Sequence, residues 1–326
     1  MDQSTSNKII DYINKNGQAT GKELADYIGS ITGRAIRKQL KKLLDKNVLY
    51  KVGVPPKVYY FLSNKEISEK TISVDKSIID VINSKYIYIS PTGELNEGWK
   101  GFLLWCKKTN QDEIKTANDY ISTLKKYDKY RKYNVINGLP KMKDTFSTVY
   151  LDKLFYLDFY SIERFGKTKL GQMLLYSKQS QNISLIRTLT DEIRPQILDI
   201  IKNNNIDGVL FIPPTVKREI QFMKELQRSL KLPVRILSVT KIKTDIAIPQ
   251  KTLLKLEDRV ENAKKTIIVD DVNSYKNVLL IDDAVGSGAT LNETAKQIKA
   301  RNLVKGNIIG LAITGSYKGF DVISEV

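Results

Sequence analysis

Apolar residues recur every three or four positions through the first part of the chain and every second position soon after. Ile9, Ile10 and Ile13 share one helical face, and Asn16-Gly17 ends that helix. Leu24, Ala25 and Ile28 predict a second helix over 21–28, with Gly29-Ser30 as the turn. Ile36, Leu40, Leu43 and Leu44 predict a third over 32–45. The runs 48–52 and 58–62 alternate like paired strands about the tip 53–57. Beyond about residue 148 the pattern changes to short apolar runs and helical stretches. These predict strand 208–212, helix 216–230, strands 234–239, 266–269 and 278–281, helix 290–301 and strand 307–313. Such an order predicts an α/β domain built on a doubly wound, mainly parallel sheet.

The stretch between is less regular. Residues 64–76 are polar and begin as a linker, 78–89 predict a helix running into a strand, and 90–93 form a turn. Trp99, Phe102, Leu103 and Trp105 form an apolar seam, and Tyr120, Ile121 and Leu124 mark the inner face of a helix over 117–127. The expected division is 1–62, 63–147 and 148–326, the middle part being a small insert domain or an elaborated cap. The tail 317–326 is expected as an edge strand.

Composition narrows the chemistry. The 326 residues carry 53 Lys and Arg against 36 Asp and Glu, a net charge of +17 that implies a polyanionic partner: nucleic acid or phosphorylated ligands. The absence of histidine excludes imidazole bases and His-containing triads. The single Cys106 excludes intrachain disulfides and cysteine-rich zinc sites, which fits a reducing cytoplasm. The start of the chain is no secretory signal, and no apolar run approaches the ~18–20 residues of a membrane span.

The run Val278 to Thr290, VLLIDDAVGSGAT, organises the rest. Four apolar residues make a strand buried on both faces, two acids stand at its carboxyl end, and a glycine bend leads into a helix. That order makes an anion site, because the glycines let the backbone close on a ligand and the new helix offers unpaired N–H groups. No Gly-Lys-Ser/Thr follows, so this is not a Walker loop, and the three-glycine dinucleotide spacing is absent. Twin carboxylates beside a phosphate cradle suit sugar hydroxyls, so a ribose 5-phosphate meets both demands.

The run resembles the phosphoribosyl pyrophosphate (PRPP) motif of type I phosphoribosyltransferases. The resemblance implies that Asp282 and Asp283 hold the ribose 2′- and 3′-hydroxyls. The backbone of Val285, Gly286, Ser287, Gly288 and Ala289, with the Ser287 and Thr290 hydroxyls, would then hold the 5′-phosphate. Purine-salvage members carry an aspartate where this chain has Gly286, which weakens that branch. Phe211-Ile-Pro-Pro-Thr-Val-Lys-Arg218, the run from Leu232, and Lys241 to Leu253 with Arg259 and Asn262 resemble the competence-protein ComF type over roughly 150–326. In those terms the loop after Ile212 binds pyrophosphate, with Lys217 and Arg218 as charge partners. The loop 241–250, with Lys241 and Lys243, closes over PRPP, Mg²⁺ accompanies the substrate, and 158–178 lies where the hood over the acceptor is built, Lys178 included.

The first 62 residues, eleven bases against five acids, resemble a winged helix-turn-helix. That family implies DNA contacts from Thr32, Arg34, Arg37, Lys38 and Lys41 of the third helix, with Lys51 and Lys57 of the wing near phosphates. A protein-docking module with a solvated basic face is the other reading. Lys125 to Tyr133 interleaves five bases with three tyrosines. It is either a nucleic-acid grip or an amphipathic helix end whose tyrosines pack, and helical spacing favours the second.

Together these resemblances imply a DNA-associated protein that binds PRPP or a nucleotide and carries out Mg²⁺-assisted transfer of a phosphoribosyl group, or a related N-glycosidic reaction on a nucleotide or nucleic acid. The architecture resembles effectors of retron-type antiphage defence systems, acting as a homodimer or within a larger nucleoprotein assembly. The alternative is a transcription regulator whose pocket senses PRPP or a nucleotide without turnover.

Overall fold

The computed structural model describes residues 4–29, 31–46, 48–53, 56, 58–63, 74–242, 244–246 and 248–317. Lys57, Lys243, most of the expected linker and the tail beyond Tyr317 lie outside the described residues. The chain divides into two compact units, Met1–Ser73 and Val74–Val326.

The first unit runs α1 (Thr5–Asn16), β1 (Ala19–Thr20), α2 (Gly21–Ile28), α3 (Gly33–Asp45), β2 (Leu49–Val52) and β3 (Tyr59–Leu62). Local chemistry sets each helix start. Ser4 caps α1 and Thr32 caps α3. At α2, Thr20 and Glu23 exchange bonds, the Thr20 N–H donating to Glu23 at 2.7 Å and the Glu23 N–H to the Thr20 hydroxyl at 3.2 Å. Gly29, at φ +63, ends α2 in a left-handed turn. The apolar faces of the three helices, with Ile9, Ile13, Leu24, Ile36, Leu40 and Leu43, close one core against Leu49 and the antiparallel sheet β1-β3-β2.

The second unit begins with α4 (Lys76–Lys85), the hairpin β4 (Ile87–Ile89) and β5 (Leu95–Glu97), α5 (Gly98–Lys108) and α6 (Glu113–Asp128). The hairpin β6 (Arg131–Lys132) and β7 (Val135–Asn137), α7 (Leu139–Thr145) and β8 (Lys153–Phe159) follow. Next come β9 (Ser161–Ile162), β10 (Gly166–Lys167), α8 (Lys169–Ser180), α9 (Ile183–Asn203), β11 (Gly208–Phe211), α10 (Phe222–Leu230), β12 (Arg235–Ile236) and β13 (Val239–Lys241). The unit ends with α11 (Leu256–Thr266), β14 (Ile267–Val269), β15 (Val278–Val285), α12 (Ala289–Ala300) and β16 (Ile308–Gly315).

Its centre is a seven-stranded sheet in the order β12-β11-β15-β16-β8-β7-β6. The first five strands are parallel, and β7 and β6 add antiparallel at one edge. All of β11 and β16 is buried, as are the first four residues of β15, which is why these strands are continuously apolar. Alternate residues serve opposite faces. Val278 and Leu280 pack with Leu291, Ala295 and Ile298 of α12 and with Met142 of α7, while Leu279 and Ile281 pack with α8, α9 and α10. Each such side chain contributes about 1.5–3 kcal/mol of burial, so the strand that carries the acids is anchored from both sides.

Several expected elements differ. The helix expected over 216–230 starts only at Phe222. Gln221 holds the Arg218 carbonyl, and the Ile220 N–H donates to Gln181 at 2.8 Å, so 212–221 stays a loop. The strand expected over 234–239 breaks in two. β12 stays on the sheet edge, whereas β13 leaves it to pair antiparallel with β14, so the strand expected near 266–269 belongs to a separate ribbon. β15 runs on to Val285, four residues past the expected end. Within 63–147, residues 74–147 share the core of the second unit, and two of their strands extend the main sheet. Among the described residues no helix is long and apolar enough to cross a membrane.

Candidate active site

A cavity of about 220 Å³ opens beyond the carboxyl ends of β11 and β15, where parallel sheets of this kind bind ligands. Its floor is the end of β15, the bend 286–288 and the first turn of α12. Gly288 sits at φ +78, and a Cβ there would stand 3.2 Å from the Met142 Cε behind it. The backbone therefore demands glycine, and any Cβ would also press by a few tenths of an ångström on the Met142 methyl. The Ala289 N–H donates to the Ser287 hydroxyl at 3.3 Å, and the bend runs directly into a twelve-residue helix whose first N–H groups have no helical partner. Asn292 fixes that helix by accepting the Tyr150 N–H at 2.8 Å and donating to the Thr148 carbonyl at 2.9 Å.

Asp282 and Asp283 line the same cavity. The Asp283 N–H donates to Asp282 Oδ1 at 2.8 Å, and Asp283 Oδ2 meets Lys178 Nζ at 2.6 Å. Burial, and then the charge of Asp283, push the Asp282 carboxyl up to about 8, against the pull of the Asp283 N–H, Lys178 and Lys241. Lys241 moves the other way: burial pushes it down to about 8 although Asp282 opposes this, and its Nζ donates to Thr266 Oγ1 at 2.6 Å. Acid and base are thus both drawn towards neutrality, a pattern common where protons or charged ligands are handled.

Two arginines complete the wall. Arg218 donates to the Lys178 carbonyl. Arg259 is only 5% exposed; its Nε donates to the Leu253 carbonyl at 2.7 Å, while its buried Nη2 has no hydrogen-bond partner among the described residues. Burial lowers the guanidinium's affinity for its proton, and an unpaired donor in such a place is costly unless an anion meets it. Gln250 ties the segment together by donating to the Arg259 carbonyl at 3.0 Å and to Asn262 Oδ1 at 3.2 Å. Four cations, Lys178, Arg218, Lys241 and Arg259, face two carboxylates, an excess of two positive charges by subtraction. The balance suits an anion that also carries hydroxyls.

Asp282, Asp283, Arg218, Lys241 and every residue from Val285 to Thr290 line this cavity; Val285 contributes backbone, its side chain being buried in the core. Lys217 does not line it and is exposed. Lys178, expected in the hood, stands instead against Asp283, and Arg259 with Gln250 joins the wall. No motif marks Lys178: its position follows from α8 packing on the sheet. Thr32, Arg34, Arg37, Lys38 and Lys41 are exposed along α3, with the Thr32 hydroxyl accepting the Ala35 N–H as the helix cap. Among the described residues no group of three or more His, Cys, Asp or Glu side chains is placed to hold a metal ion.

No family model matches the chain, and no curated protein matches it. Among solved structures, a hypoxanthine phosphoribosyltransferase from Staphylococcus aureus is similar at a TM-score of 0.25 and 17% identity, over 41% of this chain. The chain spans 65% of the length of that enzyme.

Proposed function

We propose that the second unit binds PRPP and transfers its phosphoribosyl group, and that the first unit is a winged helix-turn-helix that holds DNA. The observation that carries the first part is the meeting, in one cavity, of the acid pair of β15, the glycine bend at the start of α12 and four cations. The bend and the α12 N–H groups would take the 5′-phosphate, with the Ser287 and Thr290 hydroxyls beside it. Asp282 and Asp283 would accept hydrogen bonds from the ribose hydroxyls. An acceptor nitrogen attacking C1 displaces pyrophosphate, so negative charge gathers on the leaving group. Arg218, Lys241 and Arg259 line the cavity to receive that charge, which is where preorganised cations lower a barrier most. Pro249 and Gln250, from the loop expected to close over the ligand, already stand in the wall, and closure would exclude water.

A Mg²⁺ ion bound together with the substrate would be held chiefly by the oxygens of PRPP, with Asp282 and Asp283 as the carboxylates beside it in the cavity. When bound, the ion neutralises pyrophosphate charge.

On the first unit, the exposed basic face of α3 supports DNA contact by Arg34, Arg37, Lys38 and Lys41. Ribosyl chemistry beside nucleic acid is then the joint purpose, in keeping with the architecture of retron-type defence effectors. A sensor reading has one observation in its favour: the Lys178 ion pair already satisfies Asp283, an arrangement that suits holding a ligand.

Incubation with Mg²⁺-PRPP and candidate acceptors separates the two. Pyrophosphate release lost in Asp283→Ala is the result expected of the transferase; saturable binding without release supports the sensor, and no binding refutes both. For the first unit, a duplex DNA shift that weakens with salt should vanish in Arg34→Glu with Arg37→Glu. A shift unchanged by that pair removes α3 from the contact.

A further inference from the structure

Tyr133 stands at the tip of the β6–β7 hairpin with 98% of its surface exposed, more than any other large apolar side chain among the described residues. It and Asn134 are the two turn residues, at φ +51 and +62. Consecutive left-handed residues are what a two-residue hairpin needs, and asparagine or glycine supplies them at least cost. Asn134 obeys that rule and Tyr133 breaks it. The fold gains neither turn stability nor burial from this ring, so its presence calls for a cause outside the fold.

Its surroundings name a partner. Lys125, Lys129 and Lys132 are exposed and enter no ion pair among the described residues, whereas Lys126 is engaged by Glu163, and Arg131 by Asp158 at 2.7 Å. Asp128, the acid within the run, lies 3.6 Å from Arg131. The three tyrosines of this stretch are not equivalent. Tyr127 is core, and Tyr130 is 50% exposed with its ring packed against Tyr317 at 5.4 Å. Tyr133 makes no such ring contact among the described residues. An exposed ring within one short run of sequence that also carries three exposed lysines and a second half-open ring is the equipment for unpaired bases: rings stack on base faces while cations follow the phosphates. A duplex hides those faces, and the core of a protein interface is depleted in lysine.

We propose that this hairpin tip, whose residues do not line the cavity, is a contact for single-stranded nucleic acid on the second unit. Tyr133 stacks on a base, and Lys125, Lys129 and Lys132 hold the flanking phosphates.

The test uses the full chain carrying Arg34→Glu and Arg37→Glu, titrated with a labelled oligothymidylate and read by fluorescence anisotropy. Adding Tyr133→Asn should weaken binding about five-fold or more, the size expected for one lost base stack. Tyr133→Trp should retain it. Asparagine suits the turn, so Tyr133→Asn should raise the thermal midpoint, which separates lost binding from lost folding. Lys129→Gln with Lys132→Gln should flatten the salt dependence. Undiminished binding in Tyr133→Asn, an equal loss in Tyr133→Trp, or no binding by the parent chain overturns the proposal. Pyrophosphate release from PRPP should be unchanged in Tyr133→Asn, so the outcome here is independent of the cavity's.

Discussion

Asp282→Asn should make the protein more stable and its cavity less useful, and pH decides how much. The change removes a charge from a crowded acid pair but keeps an oxygen to accept the Asp283 N–H, now at 2.8 Å. In the folded chain burial and Asp283 push this carboxyl up to about 8; unfolded, it titrates near the ordinary aspartate value of 3.8. Between those values the native state holds a proton that the unfolded state releases. Its contribution to stability is therefore complete below about pH 4 and is lost as pH rises towards 8. At pH 7.5 the ceiling is about 5 kcal/mol, from ~1.4 kcal/mol per pH interval. The group is half-buried and faces two cations, so solvent and relaxation reduce this to on the order of 1–3 kcal/mol. Asparagine carries no such proton. Urea denaturation of ligand-free protein should show parent and variant nearly equal at pH 4.5, with the variant ahead by that amount at pH 7.5. Lys241, pushed down to about 8, begins to titrate only at the upper end of this window. Mg²⁺-PRPP binding should fall in the same variant. An advantage independent of pH, or a variant less stable at pH 7.5, would refute the assignment of strain to this pair.

Gly288→Ala should cost about 1–2 kcal/mol from the left-handed backbone alone and more from the Met142 contact; the thermal midpoint measures it. Adding Met142→Ala should not restore the backbone part. Lys178→Gln leaves Asp283 without its 2.6 Å partner, so chemical denaturation should show a loss of about 1–3 kcal/mol. Thr20→Ala breaks the capping exchange with Glu23 and should cost about 1 kcal/mol in the first unit, read as a shift in hydrogen-exchange protection of α2.

The part of the site written on contiguous residues was legible in the sequence. Val278 to Thr290 is strand, acid pair, bend and helix start in one run, and each part depends on its neighbours. Arg218 was legible for the same reason, since it follows a Pro-Pro turn at a strand end. Lys178 and Arg259 were not placed, because their roles arise from the packing of α8 and α11, and either residue lies far along the chain from the bend. The helix expected over 216–230 failed because Val216 and Ile220 continue an apolar spacing that side-chain bonds from Gln221 and Gln181 override. The strand β8 and the helices α8 and α9 were not assigned. In α9, Pro195 stands inside a helix whose apolar face, Ile186, Leu189, Ile193 and Ile197, otherwise keeps a regular spacing, and proline interior to such a pattern imitates a boundary.

The thioether behind Gly288 bears on how the protein can be dissected. A fragment cut at residue 148 would retain the acids, the glycines and all four cations, yet it would lack α7 and so the back wall against which the bend is moulded. The smallest piece able to shape the glycine bend starts upstream of Leu139, and the boundary before Val74 is the natural place to cut.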